Sequence, residues 1–134
     1  MENKIIFDLI SPEKSIFSSE VDMVVVPGIE GDFGVLPEHC PLISELRPGA
    51  IEIFKDNKKE QTFFIGGGFA EARRESCTVL ASFVKDPKNL DKNAVETEIQ
   101  KLKNKLENAS QEKKVDIEKE LEIQEKILGF INKK

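Results

Sequence analysis

The sequence predicts an α+β chain with two domains: an N-terminal antiparallel β-sandwich over residues 1–86 and a C-terminal antiparallel two-helix hairpin over residues 87–134. Three observations predict this fold. Before residue 86 apolar residues alternate in short runs, which is the period of a half-buried strand. After residue 90 the apolar spacing changes to three and four, which is the period of a helix. At KDPKNLDKN, between the two, Pro and Gly give way to Lys, Glu, Asn, Leu and Ile, which indicates a domain boundary.

The strands of the first domain are predicted from runs in which every second residue is apolar. These residues are Ile5, Phe7 and Leu9; Val21, Met23 and Val25; Ile51 and Ile53; Phe63 and Ile65; Cys77, Val79 and Ala81. Several residues on the opposite face are apolar too, such as Ile6, Ile10 and Leu80, which indicates strands that are enclosed on both sides or packed sheet on sheet. The turn signals PEKS, PGIEGD, RPG, KDNKK and IGGG separate the runs and favour a small sandwich or flattened barrel.

The helices are predicted from two apolar stripes and their caps. The first stripe consists of Val95, Ile99, Leu102, Leu106 and Ala109, and the second of Ile117, Leu121, Leu128 and Ile131. Asp91 is placed to cap the first helix, and Asn108 with Gln111 resembles a capping box for the second. The stripe lapses across NASQEKK, which favours an antiparallel hairpin. Because this linker contains neither Gly nor Pro, one continuous helix also fits the sequence.

Composition excludes several classes of protein. Residues 1–86 carry 9 basic and 15 acidic residues and residues 87–134 carry 11 and 10, so no nucleic-acid partner is expected. No window reaches the ~20 apolar residues of a membrane helix, so no direct membrane insertion is expected. Two cysteines, Cys40 and Cys77, are too few for a disulfide scaffold or a zinc site. We expect both to be free thiols in a reducing compartment.

The stretch VPGIEGDFGVLPEHCPL combines Gly, Pro, acidic residues and the single His of the chain. It lacks the Lys of a phosphate-binding P-loop, and no helical pattern follows it, as a dinucleotide fingerprint would require. Glu30, Asp32, Glu38 and His39 have no second His, and no Ser or Cys nucleophile lies in a recognisable elbow, so neither catalysis nor a metal site is expected. Dense Gly and Pro fix the shape of loops, and shaped loops on a rigid sheet are typical of a docking surface.

Continued as VPGIEGDFGVLPEHCPLISELRPGAIEI, this stretch resembles the first signature of the epsilon subunits of F-type ATP synthases. FFIGGGFAEARRESCTVLA is similar to their second signature, and the order of the two and the helical tail extend the resemblance over essentially the whole chain. The resemblance implies a bacterial, noncatalytic rotor subunit with a sandwich of about ten strands and a helical hairpin. Glu38 and Cys40 stand where the family usually has Gly and a small residue, so we expect a tighter or less mobile turn between Pro37 and Pro41 than is usual in the family.

The resemblance also implies partners. Members of the family lie on the central stalk, bind the gamma subunit, rest on the ring of c subunits and help couple proton flow to ATP synthesis. The matching positions imply a c-ring interface at Glu30, Gly31, Asp32 and Phe33, and a gamma interface at His39, Pro41 and Leu42. The implied location is peripheral, on the cytoplasmic face of the bacterial inner membrane.

In this family the hairpin can open, push its helices among the catalytic alpha and beta subunits and inhibit ATP hydrolysis. The residues of the implied regulatory helices are Val95, Ile99, Leu102, Leu106, Ile117, Leu121 and Leu128. Some bacterial members bind ATP on the folded hairpin through the motif [IL]-D-x-x-R-A. Here LDKNAV keeps Leu90 and Asp91 but has Ala94 for the Arg and Val95 for the Ala. The charged donor for a nucleotide is missing, so no cofactor is expected.

Two alternatives from other classes of protein stay open on the sequence alone. A small β-domain enzyme would need a cluster of ligands or a nucleophile, whereas the sequence offers one His. A stand-alone adaptor could dimerise through its heptads, although each stripe is shorter than the three to four heptads that stable coiled coils sustain. Metal content and the oligomeric state of the isolated chain would discriminate between these readings.

Overall fold

The computed structural model describes residues 4–132, and the chain divides into two compact units after Asp86. We call residues 4–86 the β unit and residues 87–132 the helical unit. The β unit contains eight strands, β1 (Ile5–Ile10), β2 (Ser15–Val21), β3 (Met23–Gly28), β4 (Gly31–Val35), β5 (Leu42–Lys55), β6 (Lys58–Ala72), β7 (Ser76–Ala81) and β8 (Val84–Lys85).

The strands form one sheet that folds over itself into a sandwich. Their order is β2-β1-β7-β6-β5-β3-β4, with β8 paired to β6. Within residues 4–86, β1 and β7 run parallel and the other paired strands run antiparallel. Phe17 on β2 contacts Phe63 on β6 with ring centroids 6.0 Å apart, although β1 and β7 separate these strands in the sheet. The predicted β-sandwich is therefore confirmed.

Two long strands explain why the described residues contain eight strands rather than about ten. β5 and β6 have 14 and 15 residues, whereas strands usually have about five or six. The predicted turns at RPG and IGGG are wrong, because both segments lie inside these strands, where Pro48 pairs with Gly66. Gly67 and Gly68 have φ values of 98° and 149°. The chain bends here without leaving the ladder, so each long strand occupies the place of two.

The tight turns at KDNKK and PGIEGD are confirmed. Asp56 and Asn57 both have positive φ and join the paired residues Lys55 and Lys58, which is the type I′ geometry of a two-residue hairpin. A second two-residue turn joins β3 to β4, where Gly28 pairs with Gly31. The segment after this turn is a strand rather than the loop that its Gly content favours.

The core of the β unit confirms part of the predicted alternation. Ile5, Phe7 and Leu9 are fully buried, as are Val21, Val24 and Val26. The predicted run through Met23 and Val25 is wrong at this point because β2 ends at Val21 and Asp22 forms a bend, so the inward face shifts by one residue. The expectation of strands enclosed on both sides also fails on β1 and β7, as described below.

Asp22 ties the β5–β6 turn to the start of β1. Its carboxylate accepts a hydrogen bond from the backbone N–H of Asp56 at 2.6 Å and lies 3.3 Å from the Lys4 ammonium. The hydrogen bond from Asp56, assisted by Lys4, lowers the pKa of Asp22 below its ordinary value. The carboxylate therefore stabilises the fold above its unfolded pKa, and this stabilisation is lost as the pH falls through the lowered pKa.

We expect the melting temperature of the wild-type chain to fall more steeply between about pH 6 and about pH 2 than that of Asp22→Asn, whose side chain does not titrate. Thermal unfolding followed by circular dichroism at each pH measures this difference. Parallel pH profiles for the two chains would show that the Asp22 pKa is not lowered by folding.

The helical unit begins with one turn of 3-10 helix at Pro87–Asn89, followed by α1 (Lys92–Asn108) and α2 (Gln111–Asn132). α1 packs against α2 across a two-residue link, so the predicted antiparallel hairpin is confirmed. Asp91 caps α1 as predicted, since its side chain accepts from the N–H of Asn93. The predicted capping box is wrong: Asn108 is the last residue of α1, and the Ser110 carbonyl accepts from Lys114 at 3.0 Å. No helix within residues 4–132 is long and apolar enough to cross a membrane.

Candidate docking surfaces

The predicted c-ring residues lie at the tip of the β3–β4 hairpin, which we call the acidic tip and define as residues 29–33. Glu30 lies in the two-residue turn, and Gly31, Asp32 and Phe33 begin β4. Glu30, Gly31 and Asp32 are exposed, whereas the Phe33 side chain is half-buried and packs against the core. The turn thus presents its carboxylates outward while Phe33 anchors it.

Arg47 on β5 holds the acidic tip in place. Its guanidinium donates to the Asp32 carboxylate and to the carbonyl of Gly28, both at 2.5 Å. The N–H of Ile29 also donates to the carbonyl of Glu45 at 3.1 Å. Because Arg47 holds the Asp32 carboxylate within the chain, Glu30 is the more accessible acidic group of the tip.

The predicted gamma-facing residues lie on the loop between β4 and β5 and at the start of β5. His39 is half-buried, and its Nδ1 lies 2.6 Å from the carbonyl of Cys40. Pro41 and Leu42 are exposed. Leu42 begins β5 opposite Ala72 on β6, so the loop leads directly to Ile43 and the apolar surface described next.

This surface, the outer apolar face, consists of Ile10, Ile43, Phe69 and Leu80. Leu80 pairs with Phe69 on one side and with Ile10 on the other, which places three apolar side chains in one row across β1, β7 and β6. Ile43 lies two residues before Glu45, the residue of β5 that pairs with Phe69, and is itself paired with Glu71. Phe69 and Leu80 are each 54% exposed and Ile43 is 71% exposed. A cluster of exposed large apolar side chains marks an interaction surface.

Sequence reasoning missed the outer apolar face. Of the two arrangements predicted from Ile6, Ile10 and Leu80, enclosure on both sides is wrong for β1 and β7, because Ile6 is 48% and Leu80 is 54% exposed. Alternation shows which residues share a face of a strand but not whether that face is covered. One signal in the sequence could have revealed this face. The outward positions of three neighbouring strands are apolar, whereas a solvated face is usually polar.

The residues considered for catalysis do not form one site. Asp32 is paired with Arg47, Glu38 is paired with Arg74, and His39 contacts a backbone carbonyl. Among residues 4–132, no group of three or more His, Cys, Asp or Glu side chains is arranged to hold a metal ion. These side chains shape the loops rather than converge on a substrate.

The residues of the degenerate nucleotide motif are distributed around the start of α1. The carboxylate of Asp91 accepts from the N–H of Asn93 at 3.0 Å, Ala94 is exposed, and Val95 is buried. Leu90 precedes the cap and is half-buried. Asp91 therefore serves the helix terminus.

The apolar stripe of α1, which the sequence predicted to be regulatory, is buried at Val95, Ile99 and Leu102, and Leu106 is half-buried. On α2, Ile117, Leu121 and Leu128 are half-buried. Among the residues described in α2, Ile127 is the buried one. The hairpin thus holds both stripes at least partly away from solvent.

The two cysteines differ sharply in their environment. Cys40 is exposed on the loop beside His39, and Cys77 is buried on β7. Burial raises the pKa of the Cys77 thiol to about 12, so its thiolate is scarce at neutral pH.

We therefore expect iodoacetamide to modify the native chain once, at Cys40, and the unfolded chain twice. Intact-mass and peptide mass spectrometry measure the extent and the site of modification. Rapid modification of Cys77 in the native chain would contradict the burial of β7.

Residues 4–86 match the family described as "ATP synthase, Delta/Epsilon chain, beta-sandwich domain". The chain is 44% identical over 106 residues to the ATP synthase epsilon chain of Rhodospirillum rubrum, covering 79% of each chain. It is 48% identical over 99 residues to that of Parvibaculum lavamentivorans, covering 74% of this chain and 75% of the relative. A chain from the Euglena gracilis mitochondrial ATP synthase, in a structure of its OSCP, F1 and c-ring, has the same fold, with a TM-score of 0.85 and 21% identity over 98% of this chain and 83% of that one.

Proposed function

Because the chain belongs to the ATP synthase delta/epsilon family as a bacterial, noncatalytic epsilon subunit, we propose that it joins the central stalk through its β unit. In this role the chain helps couple proton movement through the c ring to ATP synthesis. The observation that carries the proposal is the outer apolar face, because four large apolar side chains lie outward on adjacent strands.

The gamma subunit is the proposed partner of the outer apolar face. His39, Pro41 and Leu42 lie on the segment that leads into Ile43, so the gamma-facing motif and the face are continuous. Burying exposed apolar surface contributes roughly 25 cal/mol per Å² before the costs of association. Aromatic anchors such as Phe69 commonly dominate such interfaces.

The acidic tip is the proposed contact with the c ring. Its turn has only two residues between paired strands, and Arg47 holds the Asp32 carboxylate by a hydrogen bond. An exposed carboxylate on a rigid turn suits a basic or polar loop on the ring, and such complementarity sets orientation more than affinity. The proposal assigns this contact to Glu30, Gly31, Asp32 and Phe33.

We test stalk binding with a variant truncated to residues 1–87, which removes both helices. This variant is expected to bind the cognate gamma subunit with about the affinity of the full chain, because the proposed contacts lie in the β unit. Surface plasmon resonance at low micromolar concentration measures the affinity. Loss of binding on truncation would show that the helices contribute the interface. Absence of binding by the full chain would overturn the proposal.

The helical hairpin is proposed to inhibit ATP hydrolysis by opening and contacting the alpha and beta subunits transiently. Its two-residue link, Ala109 and Ser110, contains no Gly or Pro, and Ala109 has extended φ and ψ. A change at these residues to helical angles would be compatible with one continuous helix. An engineered disulfide between α1 and α2 is expected to raise ATP hydrolysis by the assembled enzyme under oxidising conditions, and unchanged hydrolysis would contradict the inhibition.

The proposed location follows from these partners: the cytoplasmic face of the bacterial inner membrane, held there by the stalk and the ring. Cys40 reports on the proposed gamma contact, since it lies beside His39 on the loop between β4 and β5 and is exposed in the chain. Protection of Cys40 from alkylation on binding of gamma supports the proposal.

A further inference from the structure

Glu38 and Arg74 join two backbone segments at one end of the sheet. The N–H of Glu38, on the loop 36–41, donates to the carbonyl of Arg74 at 2.8 Å. The guanidinium of Arg74 donates back to the Glu38 carboxylate at 2.5 Å. The pair therefore joins the loop to the β6–β7 turn, although 36 positions separate the two residues in sequence.

Glu38 adopts a backbone conformation that its side chain disfavours. Its φ is 69°, in the left-handed region where glycine is the usual residue. A non-glycine residue persists there only when surrounding contacts hold it. Arg74 supplies both contacts seen here, one through its carbonyl and one through its side chain.

We propose that Arg74 and Glu38 are positioning residues that hold the loop 36–41 in its docking conformation before the gamma subunit arrives. This inference rests on the proposed function, which places His39, Pro41 and Leu42 against gamma. The Glu38 carboxylate then acts within the chain rather than on the partner, because the Arg74 guanidinium occupies it. A loop that is ordered in advance loses less conformational entropy on binding.

The electrostatics and the geometry agree with this role. The hydrogen bond to Glu38 raises the pKa of the Arg74 guanidinium above its ordinary value, so the guanidinium keeps its charge at neutral pH. Both side chains are largely exposed, and an exposed ion pair alone contributes little. The ion pair matters because it acts together with the hydrogen bond from the Glu38 N–H to the Arg74 carbonyl. The same loop contains a turn in which the N–H of His39 donates to the carbonyl of Leu36 at 3.2 Å.

The first experiment needs no partner. Amide hydrogen exchange of the full chain is measured for wild type, Arg74→Gln, Glu38→Gln and the control Arg73→Gln, which removes the same charge from the neighbouring residue. The N–H groups of Glu38 and His39 are expected to exchange about three- to fivefold faster in the first two variants, with the strand amides unchanged. Equal exchange in Arg74→Gln and Arg73→Gln would overturn the inference.

The second experiment measures binding of the same full-length variants to the cognate gamma subunit. Arg74→Gln and Glu38→Gln are expected to lower the association rate constant about three- to fivefold, since a smaller fraction of the chain is competent to bind. The charge swap Glu38→Arg with Arg74→Glu is expected to restore the association rate constant. If the rate depended only on the net charge of the chain, Arg73→Gln would lower the rate constant as much as Arg74→Gln does. If the wild type binds gamma and the association rate constants of Arg74→Gln and Arg73→Gln are equal, the inference is overturned but the proposed function is not. Failure of the wild type to bind overturns the proposed function, and the exchange experiment still decides whether the pair orders the loop.

Discussion

Replacing Gly68 with alanine is expected to destabilise the β unit by about 3 kcal/mol or more. Gly68 lies in β6 with a φ of 149°, and a Cβ at this position would overlap the carbonyl oxygen of Leu80 and approach the Cα of Ala81 to 3.0 Å. The obstacle is backbone, which cannot rotate away as a side chain could. The substitution combines a disfavoured φ with overpacking, each of which costs about 1–3 kcal/mol.

Gly129→Ala is the matched control for this prediction. Gly129 lies in α2, and an added Cβ would meet nothing within 4 Å. Alanine favours a helix by up to about 1 kcal/mol over glycine, so this variant is expected to be slightly more stable than the wild type. Urea unfolding of both variants measures the change in the free energy of unfolding. A Gly68→Ala chain with wild-type stability would contradict the close approach of β6 and β7.

Replacing Phe69 with serine is expected to weaken binding of the gamma subunit by about 30-fold or more without destabilising the fold. Phe69 is the aromatic member of the outer apolar face and is directly opposite Leu80. Truncating an aromatic anchor at the centre of an interface typically costs about 2 kcal/mol or more, which corresponds to about 30-fold in affinity. Because the side chain is 54% exposed in the free chain, its loss removes little core packing.

Val115→Ser is the matched control for Phe69→Ser. Val115 is also 54% exposed but lies on α2, so its replacement is expected to leave gamma binding unchanged. Isothermal titration calorimetry measures both affinities, and the melting temperatures of the free chains show whether folding is affected. Equal affinities for Phe69→Ser and wild type would exclude Phe69 as an anchor.

The parts of the fold that the sequence predicts are those set by local physical chemistry. Apolar residues recur every second position in the strands and every three to four positions in the helices, because each element buries one face. These two spacings predicted the sandwich and the helices. Asp91 as a helix cap and the turn at Asp56 and Asn57 depend on side chains and backbone angles within a few residues. The two family signatures added the expected docking segments.

The parts that escaped prediction depend on contacts between distant segments. RPG and IGGG read as turns, but Gly66 and Gly68 are needed for close approach by Phe83 and Leu80 within a continuous strand. The pairing of Glu38 with Arg74 likewise joins segments far apart in sequence. Whether Leu80 faces protein or solvent depends on how many layers the sheet builds, and alternation within β7 does not contain that information.

The measurement that most directly tests the account is the hydrogen-exchange footprint of the gamma subunit on the full-length chain. We expect slower exchange in β6 and β7 around Phe69 and Leu80 and in the segment from His39 to Ile43, with little change in α1 and α2. Protection confined to the helices, or no protection where gamma binds, would contradict docking through the outer apolar face.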